Sequence, residues 1–340
     1  MCTGLTLQAT NGDIFFGRTL DLDIPMFGED SGFAFPASIM NIPANIQFPS
    51  QLNKWTTKYA VLGICVDQTT CLFDGINEEG LVGDCQVLKE STWKSQTDAE
   101  KSVLAACLGE EFVAYVLTNF KNVAEIRSAY EKICLVDQKF IYQGEPVQYS
   151  MHYTFVDKTG DGVVLEPVND GEFKLYDFVG VTANSPEYDY HKVNIRNYIG
   201  LRNVAVKDNT TLKNSASLQP IEGGTGYGLF GLPGDYTSPS RFVKAFFVRN
   251  LIDSFDRENG IAQLYAAFRP LIIPRGLEHT NETTSKSDYT RYWSGYDIST
   301  QTLYVQSGVA LAFTSKTLNR TISTIEYEPI DISNHTHSLN

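Results

Sequence analysis

The chain has 340 residues and a formal net charge of -13, from 27 Lys and Arg against 40 Asp and Glu. That sign argues against nucleic acid and anionic membranes as partners, and it obliges an anionic substrate to find a local basic group. With 42% hydrophobic and 12% aromatic residues, the composition is that of a core-forming globular protein, not a disordered one.

No charged leader precedes the first strand and no run of eighteen apolar residues occurs, which points to a cytoplasmic protein with no membrane insertion. Six cysteines (Cys2, Cys65, Cys71, Cys85, Cys107 and Cys134) are dilute and unpatterned, so reduced thiols are expected. Four N-x-T sequons, at Asn209, Asn281, Asn319 and Asn334, then read as Thr-rich surface.

The first twenty-one residues, MCTGLTLQATNGDIFFGRTLD, hold two apolar-alternating runs around Asn11-Gly12, the strongest short-range hairpin signal. Taken as a two-residue loop, this places Thr10 opposite Asp13 and Asp21 opposite Cys2. Leu5, Leu7, Ala9, Ile14, Phe16, Arg18 and Leu20 then share one face, and Cys2, Gly4, Thr6, Gly17 and Asp21 the other. Arg18 is a misfit on the core face, so a bulge between Gly17 and Asp21 is expected to turn it toward Cys2.

Removal of Met1 would leave Cys2 with a thiol that ordinarily titrates at about 8.5 and an α-amine at about 7.7–8.0, a self-contained nucleophile and base. Otherwise Cys2 is a small buried hydrophobe in a strand.

Residues 24–58 are rich in Pro, Phe and Asn, which suggests long loops or irregular strands. Residues 59–88 read as paired strands around an Asn77–Gly80 turn. A helix is expected over much of 97–119, and a second starts at Asn122, where Glu125 three residues on makes a capping-box signal. Strands resume at HYTFVD (152–157) and continue through FKLYDFVGVTANSP. After the loop-rich stretch 190–235, Ser238-Pro239-Ser240 opens a helix with Ser as the cap, another helix runs near 259–268, and short strands finish the chain. With no βαβ alternation and no repeat, this order favours antiparallel sheets covered by helices, an α+β layering.

Gly226-x-Gly228-x-x-Gly231 matches a dinucleotide fingerprint by letter, but it follows no strand and runs into Leu-Pro-Gly, so a glycine-rich turn is expected. His152, His191 and His279 lack a nucleophile context, His335 and His337 lie in the tail, and no Cys, His or acidic cluster has metal-ligand spacing. Asn184, at a strand end in TANSP, is a turn former that could also donate to an oxyanion. Arg241 is a lone charge in the first turn of an apolar helix.

Taken together and in this order, MCTGLTL, FGRTLD, FDGINEEGL, HYTFVD, TANSPEYDYH and GLPGDYTSPSRFVKAFF closely resemble the choloylglycine hydrolase family, which comprises bile salt hydrolases and penicillin V acylases of the N-terminal-nucleophile hydrolases. The resemblance implies a four-layer αββα sandwich over residues 2–330 as one amidase domain, with 331–340 as a polar tail. It further implies self-removal of Met1, no metal or cofactor, and often a homotetramer.

By motif, Cys2 corresponds to the nucleophile, Arg18 and Asp21 to residues that hold and tune it, Asn184 to the side-chain half of the oxyanion hole, and Arg241 to the completing cation. A second oxyanion donor in the family is a backbone N–H at the position of Val87, where bile salt hydrolases usually carry Asn and penicillin V acylases Tyr. GLPGDYTSPSRF, HYTFVD and ANSPEYDYH lean toward a penicillin V acylase acting on a phenoxyacetyl amide. A conjugated bile salt hydrolase is the alternative, and a non-catalytic binding relative is a third reading.

Overall fold

The computed structural model describes residues 1–336 apart from 207–208, 214, 222–223 and 284–285. His337 and the last residues of the tail lie outside the described residues.

The chain opens with β1 (Cys2–Gln8) and β2 (Ile14–Leu22), followed by β3 (Ala37–Ile42), β4 (Val61–Val66), β5 (Leu72–Asn77) and β6 (Val82–Val87). Next come α1 (Gln96–Lys101), β7 (Ala105–Cys107), α2 (Phe112–Asn119), α3 (Val123–Ala129), β8 (Ile133–Leu135), and the small hairpin β9 (Phe140–Tyr142) and β10 (Glu145–Val147). The second half contains β11 (Met151–Val156), β12 (Gly162–Asn169), β13 (Glu172–Asp177), β14 (Val181–Ala183), α4 (Tyr188–Asn194), α5 (Ser238–Leu251) and α6 (Gly260–Phe268). It closes with β15 (Tyr289–Asp297), β16 (Thr302–Ser307), β17 (Phe313–Thr317) and β18 (Glu326–Pro329).

Among the described residues these strands build a six-stranded sheet, β14-β1-β2-β15-β16-β17, and a ten-stranded sheet, β18-β3-β4-β5-β6-β11-β12-β13-β8-β7. Both are antiparallel except for the β7–β8 pair. The expected helix over 97–119 is instead α1 and α2 with β7 between them, because Ala105–Cys107 add a parallel edge to the large sheet. Helix α3 begins as expected, with the Asn122 side chain accepting from the Glu125 N–H at 3.0 Å. The cap position of α5 is Thr237, one residue before the predicted Ser238.

Two apolar clusters explain the layering. Cys2, Ile14, Phe16 and Leu20 of the small sheet pack into a core shared with β4, β5, β6 and α2 of the large sheet. Leu5, Leu7, Ala9 and Phe15 face the other way, against Phe242 and Ala245 of α5 and Leu264 and Phe268 of α6. Helix, sheet, sheet and helix thus stack as the expected αββα sandwich of an α+β protein.

The first hairpin differs from its sequence reading by one residue. Its ladder pairs Cys2 with Leu20, Gly4 with Arg18 and Gln8 with Ile14. The Ala9 N–H donates to Asp13 O at 2.9 Å and the Gly12 N–H to Ala9 O at 2.9 Å, so the loop is Thr10-Asn11-Gly12. Gly12 alone takes a left-handed conformation, with φ +94°. This is the three-residue loop closed by a glycine bulge, not the two-residue turn.

A one-residue slip exchanges the faces of a strand. Arg18 therefore lies on the same face as Cys2 through the regular ladder, and the predicted bulge between Gly17 and Asp21 is absent from β1–β2. The irregularity is on β15, between Thr290 and Tyr292, where Arg291 is the extra residue. Asp21 stands opposite Met1, not Cys2, its N–H donating to Met1 O at 2.7 Å.

Candidate active site

Cys2 lies at the start of β1 and is 3% exposed. Its Sγ accepts from Arg18 Nη2 at 3.0 Å. The guanidinium is held from all sides: Nη1 donates to Phe73 O at 3.1 Å and to Asp74 Oδ2 at 3.4 Å, and Nε lies 3.7 Å from Asp84 Oδ2. Asp74 in turn accepts from Tyr292 Oη at 2.5 Å and from Tyr296 Oη.

The side chains of Cys2, Arg18, Asp74, Asp84, Tyr292 and Tyr296 come from the facing surfaces of the two sheets, and all are buried. A charge so enclosed persists only where opposite charge and hydrogen bonds replace water. Burial by itself would push Arg18 down, but Cys2, Tyr292, Asp84 and Asp74 together hold it well above its ordinary value. Asp74 is pushed up by burial, with Arg18 and the two tyrosines opposing.

The approach of the sheets depends on Gly4, where a Cβ would sit 2.7 Å from Thr182 Oγ1 and 3.0 Å from Gln86 Nε2. Gln86 Nε2 donates to Asp84 Oδ2 at 2.8 Å, which fixes the carboxylate beside Arg18.

The backbone of Cys2 is held by Asn184, which follows β14. Asn184 Oδ1 accepts the Cys2 N–H at 2.6 Å and Arg241 Nη2 at 2.7 Å, and Nδ2 donates to Val87 O at 2.8 Å. An amide nitrogen carries two hydrogens, so one remains for another acceptor. Asn184 is itself fixed through its carbonyl, which accepts from His191 Nε2 at 2.8 Å and from Ser238 Oγ at 2.8 Å. His191 stacks on Phe242 at 4.6 Å, and burial lowers its pKa to about 4, so near neutrality it is an uncharged donor.

Arg241, in the first turn of α5, donates through Nε to Tyr236 O at 2.8 Å and through Nη1 to Cys2 O and Thr3 Oγ1. Its Nη1 lies 4.0 Å from Asp21 Oδ2. Asp21 also accepts from Thr290 Oγ1 at 2.6 Å and Thr19 Oγ1 at 3.2 Å, and burial raises its pKa against the pull of Arg241.

The structure thus gathers Cys2, Arg18, Asp21, Asn184 and Arg241 around the first strand, with Val87 against Asn184. Sequence reasoning missed Asp74, Asp84, Tyr292 and Tyr296. Asp74 lies within the FDGINEEGL stretch, and both acids are themselves buried within buried strands. Burial pushes the thiols of Cys65, Cys71, Cys85, Cys107 and Cys134 up, Cys65 to about 12, so these five are poor nucleophiles. None of the candidate histidines bonds to the Cys2 thiol; His152 pairs with Glu166 Oε1 at 3.1 Å inside the large sheet. No metal-binding group of His, Cys, Asp or Glu occurs among the described residues, nor a helix long and apolar enough to cross a membrane.

Beside the thiol opens a cavity walled by Leu20, Leu22, Phe35, Val66, Phe73 and Met151, with Val87 also on its wall. Its apolar lining suits the acyl half of a small-molecule substrate. Phe35, from the irregular stretch 24–58, meets Phe33, Tyr142 and Tyr149 edge-on at 5.1, 5.3 and 5.9 Å.

A model of the linear amide C–N hydrolases, choloylglycine hydrolase family, matches residues 2–320. The chain belongs to the choloylglycine hydrolase family. Among its relatives is the bile salt hydrolase/transferase of Clostridium perfringens, 32% identical over 86% of this chain and 85% of the relative. The conjugated bile acid hydrolase of Lactobacillus acidophilus is 28% identical over 89% of this chain and 92% of the relative.

Among solved structures, the C2A variant of the conjugated bile acid hydrolase from Clostridium perfringens superposes with a TM-score of 0.86 at 27% identity over the whole of both chains. Penicillin V acylase from Agrobacterium tumefaciens shares the fold, with a TM-score of 0.72 at 19% identity over 96% of this chain and 90% of that one. This choloylglycine hydrolase family member is thus a hydrolase of linear amides, which sets aside the non-catalytic reading. The relatives favour the bile salt alternative over the penicillin V reading. The stretches that leaned toward penicillin V, HYTFVD, ANSPEYDYH and GLPGDYTSPSRF, contribute no residue to the cavity wall.

Proposed function

We propose that the protein cleaves the amide bond of conjugated bile salts through an acyl-enzyme on Cys2. The observation that carries this reading is the position of the Cys2 thiol, bonded to a buried arginine on one side and opening into an apolar cavity on the other.

With Met1 in place the Cys2 nitrogen is a peptide N–H. Its removal frees an α-amine at the spot where Asn184 Oδ1 already accepts, close to Arg241 and Asp21. The amine takes the thiol proton, and the sulfur attacks the amide carbonyl. The second Asn184 Nδ2 hydrogen and the Val87 N–H stabilise the oxyanion, each donor contributing about 2.7–4 kcal/mol. The amine then passes its proton to the leaving nitrogen, and water attacks the thioester by the same route in reverse. Arg18 holds the sulfur in place through its Nη2 bond, while Arg241 and Asp21 position the terminal backbone.

Comparison of initial rates on a glycine-conjugated bile salt and on penicillin V tests the substrate assignment. Faster cleavage of the bile salt is expected, and faster cleavage of penicillin V would overturn it.

A further inference from the structure

Two adjacent acids open the turn before α2, and the fold treats them differently. Glu111 is satisfied: Oε2 accepts from Ser50 Oγ at 2.5 Å, and Oε1 from Thr70 Oγ1 at 2.5 Å and the Gln51 N–H at 3.0 Å. Glu110 is 4% exposed and accepts one bond, from the Tyr149 N–H to Oε1 at 2.9 Å. Its Oε2 is buried with no hydrogen-bond partner in the protein, and Glu110 lines the same cavity as Cys2.

An unpaired carboxylate oxygen in an apolar site costs stability unless something bonds to it. Cys71, Phe140, Tyr142, Tyr149 and Met151 line the same cavity, and none of them donates to that oxygen. Nor does Lys139, whose Nζ bonds to Asp137 and Gln148. The other unpartnered acceptor on the cavity wall, Gln86 Oε1, belongs to the Arg18 side, since the Gln86 amide nitrogen is bonded to Asp84 and Thr182.

We propose that Glu110 is a specificity residue that hydrogen-bonds a hydroxyl group on the acyl half of the substrate. The cavity therefore selects hydroxylated acyl groups over bare hydrocarbon or aromatic ones. Apolar walls bind the acyl body without orienting it, whereas one buried polar group fixes its depth and rotation and so sets which carbonyl reaches Cys2. Burial holds the Glu110 carboxyl up at about 7, so near neutral pH both forms are present and a hydroxyl can donate to one or accept from the other. The inference deepens the bile salt reading and rests on it for the identity of the acyl group.

The test measures binding of free acids to the full-length protein by calorimetry, independent of turnover. Cholate is set against the hydroxyl-free cholanate, and 4-hydroxyphenoxyacetate against phenoxyacetate. Glu110→Leu removes the acceptor. Glu110→Gln keeps the bond to Tyr149 and the volume, and decides the matter alone where the leucine variant fails to fold.

The wild type is expected to prefer the hydroxylated member of each pair by about 10- to 100-fold, the range for a hydrogen bond to a charged group. The preference collapses in Glu110→Leu and shrinks in Glu110→Gln. An unchanged preference in both variants, an equal loss for both members of each pair, or no binding of any of the acids to the wild type overturns the assignment. Failure to hydrolyse glycocholate while the binding preference holds would overturn only the bile salt reading.

Discussion

The Cys2 thiol stands between two regions of opposite character. On one side Arg18, Asp74, Asp84, Tyr292 and Tyr296 form a buried polar network in which every guanidinium nitrogen has a partner. On the other, carbon walls enclose a cavity in which Glu110 supplies an unpaired acceptor. On the polar side the guanidinium is satisfied within the chain and holds the reacting atom still. The apolar side is shaped for something that arrives. Chemistry and substrate choice are thereby carried by different side chains, several of them neighbours on the same strands, and the two can be broken separately.

The largest effect is expected at the boundary itself. Cys2→Ala and Cys2→Ser should each lower kcat by about 10⁴-fold or more, as when a covalent nucleophile is removed, with the melting temperature little changed. Retained hydrolysis in both variants, measured as initial rates, would falsify the scheme.

Breaking the polar side comes next. Arg18→Leu leaves Asp74 and Asp84 buried without a cation, and a cost of about 3–5 kcal/mol in denaturant unfolding is expected. Adding Asp74→Asn to that variant should recover part of the loss. If Arg18→Leu unfolds at the wild-type midpoint, the network is not what stabilises the interface between the sheets.

Asn184→Ala acts on catalysis more than on stability. One side-chain oxyanion donor is lost, and kcat should fall by about 10²–10³-fold, with KM shifted far less. A change confined to KM would move Asn184 from the transition state to ground-state binding.

The gentlest probe is pH. His191 is buried and has its pKa lowered from 6.5 to about 4, so the unfolded chain binds a proton that the folded one refuses across that window. Stability is therefore full above pH 6.5 and falls as pH drops toward 4, by about 3 kcal/mol from this residue. His191→Gln should flatten that limb in unfolding curves taken from pH 7 to 4. An unaltered slope would show that other groups carry it.

The layered fold was legible because the order of strands and helices excludes βαβ units, and the five site side chains because each sits in a motif of the family. Pairing was less legible. Asn11-Gly12 reads as a two-residue loop, yet only Gly12 takes positive φ, and one extra loop residue moved Arg18 to the Cys2 face and Asp21 to Met1. Asp74 and Asp84 could not be assigned from local pattern, since they meet Arg18 across the gap between two sheets and are 56 and 66 residues away in the chain. Glu110 was hidden for a different reason. Beside Glu111 in sequence it looks like ordinary surface charge; both are buried, and only tertiary hydrogen bonding separates the two.

The central claim is that a freed amino-terminal cysteine forms the acyl-enzyme. It is tested most directly by intact mass spectrometry of the protein, alone and acid-quenched during turnover of a glycine-conjugated bile salt. The expected spectrum shows a chain lacking one methionine, and during turnover a second species heavier by one acyl group, mapped to the first residue. A chain that turns over substrate with Met1 retained, or an acyl group found elsewhere, would contradict it.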